Sequence, residues 1–376
     1  MTIKQVITMM KARYLKYLIG VLLLLVGLQG IMGIRQVNEW QSAYHFYHSK
    51  HFIKMYRQSP EYFVGYADAK GTKPADVTLQ AYQQSSLKFN NTEVAPVMTI
   101  PSIGMLMFLG LFFTVGLWTF TYDRWTHFDR FLFGLGTTRM RLYWSKIMLV
   151  GLTIVTGFIV SRVLYYSIVI SQIPQPYLSI NWHQLFQHEF GLLILGLLLY
   201  AFGNILGLLV GELVTLLIGA YAFLATLIFI SDNLQDLGRF LQATTAIEYQ
   251  TIKNANSVVL TKLWTATYSG VLYNTRQQVI LIVSLLISSL VLVIAGSWCY
   301  RRLSLENNRK IITLPQLNWW LLGLASAYLA LILCMNGFFS RIPFELIATH
   351  EKTLLLWYFI RNFLVIGLLG WLLIKR

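Results

Sequence analysis

Of 376 residues, 56% are hydrophobic and only 12% are charged, a balance that excludes a soluble globular domain. A net charge of +15 would suit a nucleic-acid binder in a soluble chain, but here lysine and arginine crowd into short connections between apolar runs, which excludes nucleic acid as a partner. The pattern predicts an all-α polytopic membrane protein, surrounded by membrane lipids, with eight transmembrane helices.

Each apolar run has roughly the 18 to 24 residues a helix needs to cross a bilayer. They are Tyr17 to Ile34, Pro101 to Thr121, Ile147 to Ile170, Phe190 to Val210, Leu213 to Ile230, Val279 to Tyr300, Trp319 to Phe339 and Thr353 to Ile374. The first is too long for the apolar part of a signal peptide and no clear small-x-small site follows it, so it reads as a retained helix.

Residues 35 to 100 form an outer segment of Tyr, Gln, Ser and Lys, enough for a small helical cap. Trp40, Tyr44, Tyr47, His51 and Met55 recur at helical spacing, predicting that the first helix continues outward; Gly71 and Pro74 then mark loop. His45, His48 and His51 suggest a metal site, but steps of three drift around a helix and no Asp, Glu or Cys completes a set, so no metal is expected. Asn90 with Thr92 is a chance-level sequon.

Between the second and third runs lies the basic, aromatic segment Tyr122 to Lys146. Phe128, Phe131, Leu132 and Leu135 repeat at i, i+3, i+4, i+7, predicting a short amphipathic helix with Asp129 and Arg130 off the stripe. Gly134 and Gly136 end it. Thr137 or Thr138 then caps a new helix whose Arg139, Arg141 and Lys146 hold the membrane boundary.

The fourth run carries Gly203, Gly207 and Gly211, two overlapping G-x-x-x-G steps for close helix packing, within the chain or in a dimer. Residues 190 to 230 are almost unbroken in apolarity except at Gly211-Glu212, and charge decides between one long helix and a tight hairpin. Basic residues cluster at Lys4, Lys11, Arg13 and Lys16; at Arg124, Arg130, Arg139, Arg141 and Lys146; at Arg301, Arg302, Arg309 and Lys310; and at Lys375 and Arg376. Only the hairpin puts all four on one side, which the positive-inside rule makes the cytoplasm, with both termini there. Residues 231 to 278 then lie outside, with helix-like pieces at Leu234 to Leu241 and Val258 to Thr265.

Chemistry inside a membrane needs convergent ionisable groups. Arg162, Arg361 with Asn362, and Asn204 are the polar residues expected to be buried in spans, with Glu212 at the hairpin, and no carboxylate inside a span is expected to pair with the arginines. Neither H-E-x-x-H nor G-x-S-x-G occurs; His188-Glu189 runs on into Phe190. "GYADAKGTK" from Gly65 is out of register for a phosphate loop. The chain is therefore expected to be no enzyme and to bind no cofactor. Cys299 and Cys334 read as small buried residues.

Taken together, "FDRFLFGLGTTRMRLYWSK" between the second and third runs, the outer segment before it and the hairpin after it resemble the permease subunits of bacterial type-2 ABC exporters. In that pattern a short coupling helix is followed by a small-residue turn, an Arg and a Lys, here Arg139 and Lys146; Gly136-Thr137 stands where the family has a proline. "YRRLSLENNRKIITLP", with Glu306, is similar to a basic stretch in permeases that continue into further helices. The resemblance implies a six-helix permease unit over residues 1 to 310, with outer segment 35 to 100 and coupling segment 122 to 146, plus two added helices in 311 to 376.

It further implies a cell-membrane transport subunit of the bacterial plasma membrane, paired as a homodimer or heterodimer with another permease subunit. A separate ABC-type ATPase would bring the ATP and grip Phe128, Arg130, Phe131, Leu132, Leu135 and Arg139. The cargo expected is an amphipathic or hydrophobic peptide, drug or lipid. A different class of function is an accessory or immunity membrane protein that binds a peptide through its outer segments.

Overall fold

The computed structural model describes residues 3–59, 78–88, 102–134, 136–178, 180, 182–223, 275–303, 312–335 and 352–375. Among these the chain is helical, with no strand beyond an isolated bridge between Val210 and Ile312. Eleven helices follow in order among the described residues: α1 (Ile3–Tyr47), α2 (Lys50–Gln58), α3 (Leu79–Leu87), α4 (Ser102–Trp125), α5 (Phe128–Gly134), α6 (Arg139–Gln172), α7 (Trp182–Leu209), α8 (Leu213–Phe223), α9 (Thr275–Arg302), α10 (Asn318–Met335) and α11 (Lys352–Lys375).

Over its described residues each of the eight apolar runs meets a helix, and five of the described helices are long and apolar enough to cross a membrane: α1, α6, α7, α9 and α11. Such an architecture is compatible with a multi-pass membrane protein. The long apolar stretch around Gly211-Glu212 is a hairpin, since α7 stops at Leu209 and α8 restarts at Leu213.

The bundle centres on two tightly packed pairs. In the first, α1 lies along α6, where Gly157 admits Leu25 and Gly33 sits against Ile168. In the second, α4 lies along α7. A Cβ at Gly116 would come 2.3 Å from the Tyr200 carbonyl oxygen, and one at Gly203 would come 2.4 Å from that of Phe113. Only glycine lets the two backbones meet this closely, and in an apolar solvent such contact is a main source of helix association. Gly207 against Leu117 continues the seam, so this glycine face is consumed within the chain. Gly211 does not extend it, because it lies in the turn beyond the end of α7.

Thr114, Thr119 and Thr121 in α4 return their hydroxyls to the carbonyls four residues back, which keeps these polar groups satisfied in an apolar setting. A continuous core of Tyr14, Leu18, Val21, Leu25, Phe108, Phe112, Val150, Ile154 and Phe158 fills the space between the pairs. Helix α9 closes one side through Tyr143, whose hydroxyl donates to the Val293 carbonyl over Gly296.

At one end of the bundle, α1 runs on to Tyr47 and then breaks. Ser49 caps α2 by accepting from the Phe52 backbone N–H, so the expected outward helix is two helices with a turn at His48-Ser49. Phe52, Tyr56 and Tyr82 pack there with Tyr47, while Trp40 donates to the Leu87 carbonyl and Gln83 to that of Tyr47. His45, His48 and His51 are exposed and His48 stacks on Tyr44, so the three imidazoles do not converge. This is the aromatic end. The opposite, basic end gathers Arg13, Arg124, Arg139 and Arg301.

The expected pieces of residues 231 to 278, Asn90, Gly71, Pro74, Glu306, Arg309 and Lys310 lie outside the described residues.

Candidate functional site

The basic end is built around α5, a helix of seven residues held between α4 and α6. It leaves α4 through His127, whose φ of 55° turns the chain, and it reaches α6 through Gly136, at φ 66° in the region glycine adopts freely. Thr138 occupies the N-cap position of α6 with no side-chain cap bond.

The face α5 buries differs from the one its apolar periodicity predicts. Leu132 is fully buried and Phe128 and Phe133 are half-buried, but Asp129 is buried too, and Phe131 is 54% exposed. The buried polar groups under α5 explain the rotation, because they make a carboxylate a better inward residue than a second phenylalanine. Phe128 is covered by Arg13 of α1, whose guanidinium carbon lies 3.9 Å from the ring centre. Arg130 is exposed. Leu135 lies outside the described residues. Trp125, the last residue of α4, is 62% exposed and meets Trp118 edge-on, while Phe131 leans on Phe128.

Beneath α5 lies a buried ionic cluster. Lys146 is only 1% exposed, so it is no boundary anchor but an internal cation, and its ammonium pairs with Asp123. Tyr14 donates its hydroxyl to the same carboxylate, and Arg13 approaches it at 3.7 Å while donating to Thr126 Oγ1 at 2.7 Å. One acid thus ties α1, α4 and α6 together. Asp123, Arg124, Asp129, Lys146 and Tyr300 also line a cavity of about 20 Å³, room for one water.

Two arginines next to this cluster close helix ends. Arg124 donates to the Val210 carbonyl at 2.6 Å and to that of Gly207, where α7 has run out of N–H partners; Thr313 donates to the Leu208 and Leu209 carbonyls at 2.6 and 3.1 Å. Arg139 does the same for α9, reaching the Arg301 and Leu303 carbonyls at 3.0 and 2.5 Å while covering Phe133. A cation at a helix C-terminus is also favoured by the helix dipole. Arg139 is therefore engaged inside the chain.

Toward the aromatic end stands a second ionic cluster. Arg162 is buried as expected, but a carboxylate does pair with it: Glu189 accepts from Nε at 2.7 Å and from Nη2 at 2.5 Å in a two-pronged bridge. The reason is the start of α7, which begins at Trp182, so Glu189 sits two turns inside the helix. Gln29 of α1 accepts from Arg162 Nη1 at 2.9 Å, and Tyr166 links Arg162 to Glu189.

The remaining candidates do not join these clusters. Asn204 is buried beside Tyr200 in the α4–α7 seam, and neither its amide atoms nor the Tyr200 hydroxyl makes a well-formed hydrogen bond. Asn362 faces α10 and donates to Cys334 Sγ at 3.5 Å. Arg361, expected to be buried, is exposed instead, because α11 packs only its Leu355, Gly367 and Gly370 side inward, onto α10. Cys299 and Cys334 are buried and free. Among the described residues no three His, Cys, Asp or Glu side chains converge as metal ligands.

Asp123, Trp125, Gln29 and Glu189 were not singled out from the sequence. Gln29 had a signal, being the one strongly polar residue in the run Tyr17 to Ile34. Asp123 and Glu189 sit at the edges of apolar runs, where a charge is ordinarily read as a boundary.

No family model, no curated protein and no solved structure matches the chain.

Proposed function

We propose that the chain is the eight-span membrane subunit of an ATP-driven exporter of the bacterial plasma membrane. Its basic end and both termini face the cytoplasm, and α5 receives a separate ABC-type ATPase. One observation carries this reading: α5 is anchored from behind, through Leu132, Asp129 and the Arg13-covered Phe128, while Phe131 stands exposed. A short helix fixed to the bundle with an aromatic front suits a surface that another protein pushes. Its position between two apolar helices, and the likeness of "FDRFLFGLGTTRMRLYWSK" to coupling segments, support the same assignment. The chain supplies no hydrolysis of its own. Displacement of α5 would bear on α1 through Arg13, on α4 through Asp123 and on α6 through Lys146.

The socket is narrower than the periodicity of the segment suggests. Leu132 and Arg139 face into the protein, which leaves Phe131 and Arg130 of α5 as the contact surface. Replacing Phe131 with Asp should leave the amount of membrane-inserted chain unchanged and abolish both co-purification of the ATPase and export of its cargo. Export at the wild-type rate in that variant would remove the assignment.

A second reading, an accessory or immunity protein that binds a peptide outside the membrane, is favoured by an open cleft of about 540 Å³ at the aromatic end. His48, Thr78, Leu79, Gln80, Gln83, Gln84 and Tyr177 line it. Peptide binding that persists with no ATPase present, and is lost on changing Gln83 and Tyr177, would select this alternative.

A further inference from the structure

Helix α11 presents a charge where a bilayer accommodates one poorly. Its 24 residues would place Arg361 about 14 Å along the axis from Lys352 and about 21 Å from Lys375, well inside a hydrocarbon layer of roughly 30 Å. Within the window Thr353–Leu372 that qualifies as a span, Arg361 is the one charged residue.

Three cations buried elsewhere in the bundle show what such a group needs. Arg124 has the carbonyls at the end of α7, Lys146 has Asp123, and Arg162 has Glu189. Among the described residues Arg361, by contrast, makes one long contact to its neighbour Asn362, at 3.3 Å, and lies over the Tyr358 ring at 4.8 Å. Neither is an anion. Leaning toward Tyr358 lifts the guanidinium by less than a turn of helix, about 5 Å, which leaves it below the headgroups.

Arg361 stands on an exposed stripe with Trp357, Leu364, Leu368 and Leu372, while α10 takes the other side of the helix. Trp357 and Leu364 are 62% and 61% exposed. Apolar residues alone on such a face would suit lipid. An arginine at this depth does not, since it costs several kcal/mol unless it meets a charge or a set of acceptors.

We propose that the Arg361 stripe of α11 is the docking surface for a membrane-spanning helix of a different protein, one that carries an aspartate or glutamate at the same depth. Charge complementarity selects this occupant. A second copy of the chain meets the requirement poorly: two α11 stripes would bring Arg361 against Arg361. The carboxylates of the described bundle that pair with its buried cations, Asp123 and Glu189, are already engaged. A carboxylate at the matching depth would form the same bridge that Arg162 and Glu189 form within the chain, and Trp357 and Leu364 would pack around it.

The inference is independent of the export reading, because it concerns a helix remote from α5. The test places a photo-crosslinking amino acid at Leu364 in the full chain, in its native membranes, with Arg361 intact or changed to Lys, Leu or Glu. The expected result is one protein adduct that Arg361→Lys retains and that Arg361→Leu and Arg361→Glu reduce about tenfold or more. Mass mapping should place it on a spanning segment with an Asp or Glu, and changing that acid to Arg should restore the adduct with Arg361→Glu. Adducts only to lipid, adducts to a second copy of this chain, a protein adduct indifferent to the charge of residue 361, or a mapped segment with no acid would each overturn the proposal. Equal amounts of inserted chain across the variants show that a lost adduct is not a lost fold.

Discussion

The two buried ionic clusters use similar groups to opposite ends. Near the aromatic end, Arg162 and Glu189 match one cation to one anion, and Gln29 and Tyr166 take up donors and acceptors left over. Near the basic end, Asp123 serves Tyr14, Lys146 and Arg13 at once, with Arg13 partly open to solvent and a water-sized cavity alongside. The first is a closed two-pronged bridge that fixes α6 to α7. The second is a shared hub whose partners compete for one carboxylate and which touches α5. A closed pair resists rearrangement; a hub with several partners can exchange them when a neighbouring helix is displaced.

The sharpest way to break this contrast is at the closed pair. Glu189→Leu strands the Arg162 guanidinium and should cost about 3 to 5 kcal/mol, read as a large fall in Tm of the detergent-solubilised chain. Arg162→Leu combined with Glu189→Leu should recover most of that loss, and a double variant as unstable as the single would mean that the pair is not closed. Asp123→Asn at the hub should cost less, about 2 kcal/mol, because the amide still accepts from Tyr14 and the water-sized cavity lined by Lys146 offers the ammonium a replacement partner. If the hub loses more than the closed pair does, the ranking reverses.

Arg124→Leu should cost about 1 to 2 kcal/mol, by leaving the carbonyls at the end of α7 to Thr313 alone, and hydrogen exchange should rise selectively around Gly207 to Val210. Phe131→Asp should move stability least, within about 0.5 kcal/mol, because its ring lies outside both clusters. On the export reading its effect falls on ATPase association instead.

Much of the fold was legible because a bilayer leaves helices few alternatives: runs long enough to cross it had to be helical, and their described residues are, five of them long and apolar enough to span. The Gly203-Gly207 spacing was legible as a packing face, although its partner, Gly116 and Leu117 of α4, could not be named from spacing alone. The clusters were not legible, since Glu189 and Asp123 lie at the ends of apolar runs and become internal only because α7 begins at Trp182 and α4 continues to Trp125. For α5, period alone put Phe131 inside. Asp129 took that place because the neighbouring Arg124 and Lys146 already made the underside of the helix ionic.

The length of α1 has a further consequence. Its 45 unbroken residues pass both clusters, meeting one at Tyr14 and the other at Gln29, about 22 Å apart along the axis, and α6 repeats the interval at about 24 Å between Lys146 and Arg162. Two parallel rods therefore carry the same pair of polar marks at nearly the same spacing. That spacing is shorter than a typical hydrocarbon layer of about 30 Å, so a layer of that thickness can hold both marks at once. A thicker bilayer would bury them deeper without parting them, whereas a tilt of α1 against α6 would put the two sets of marks out of step.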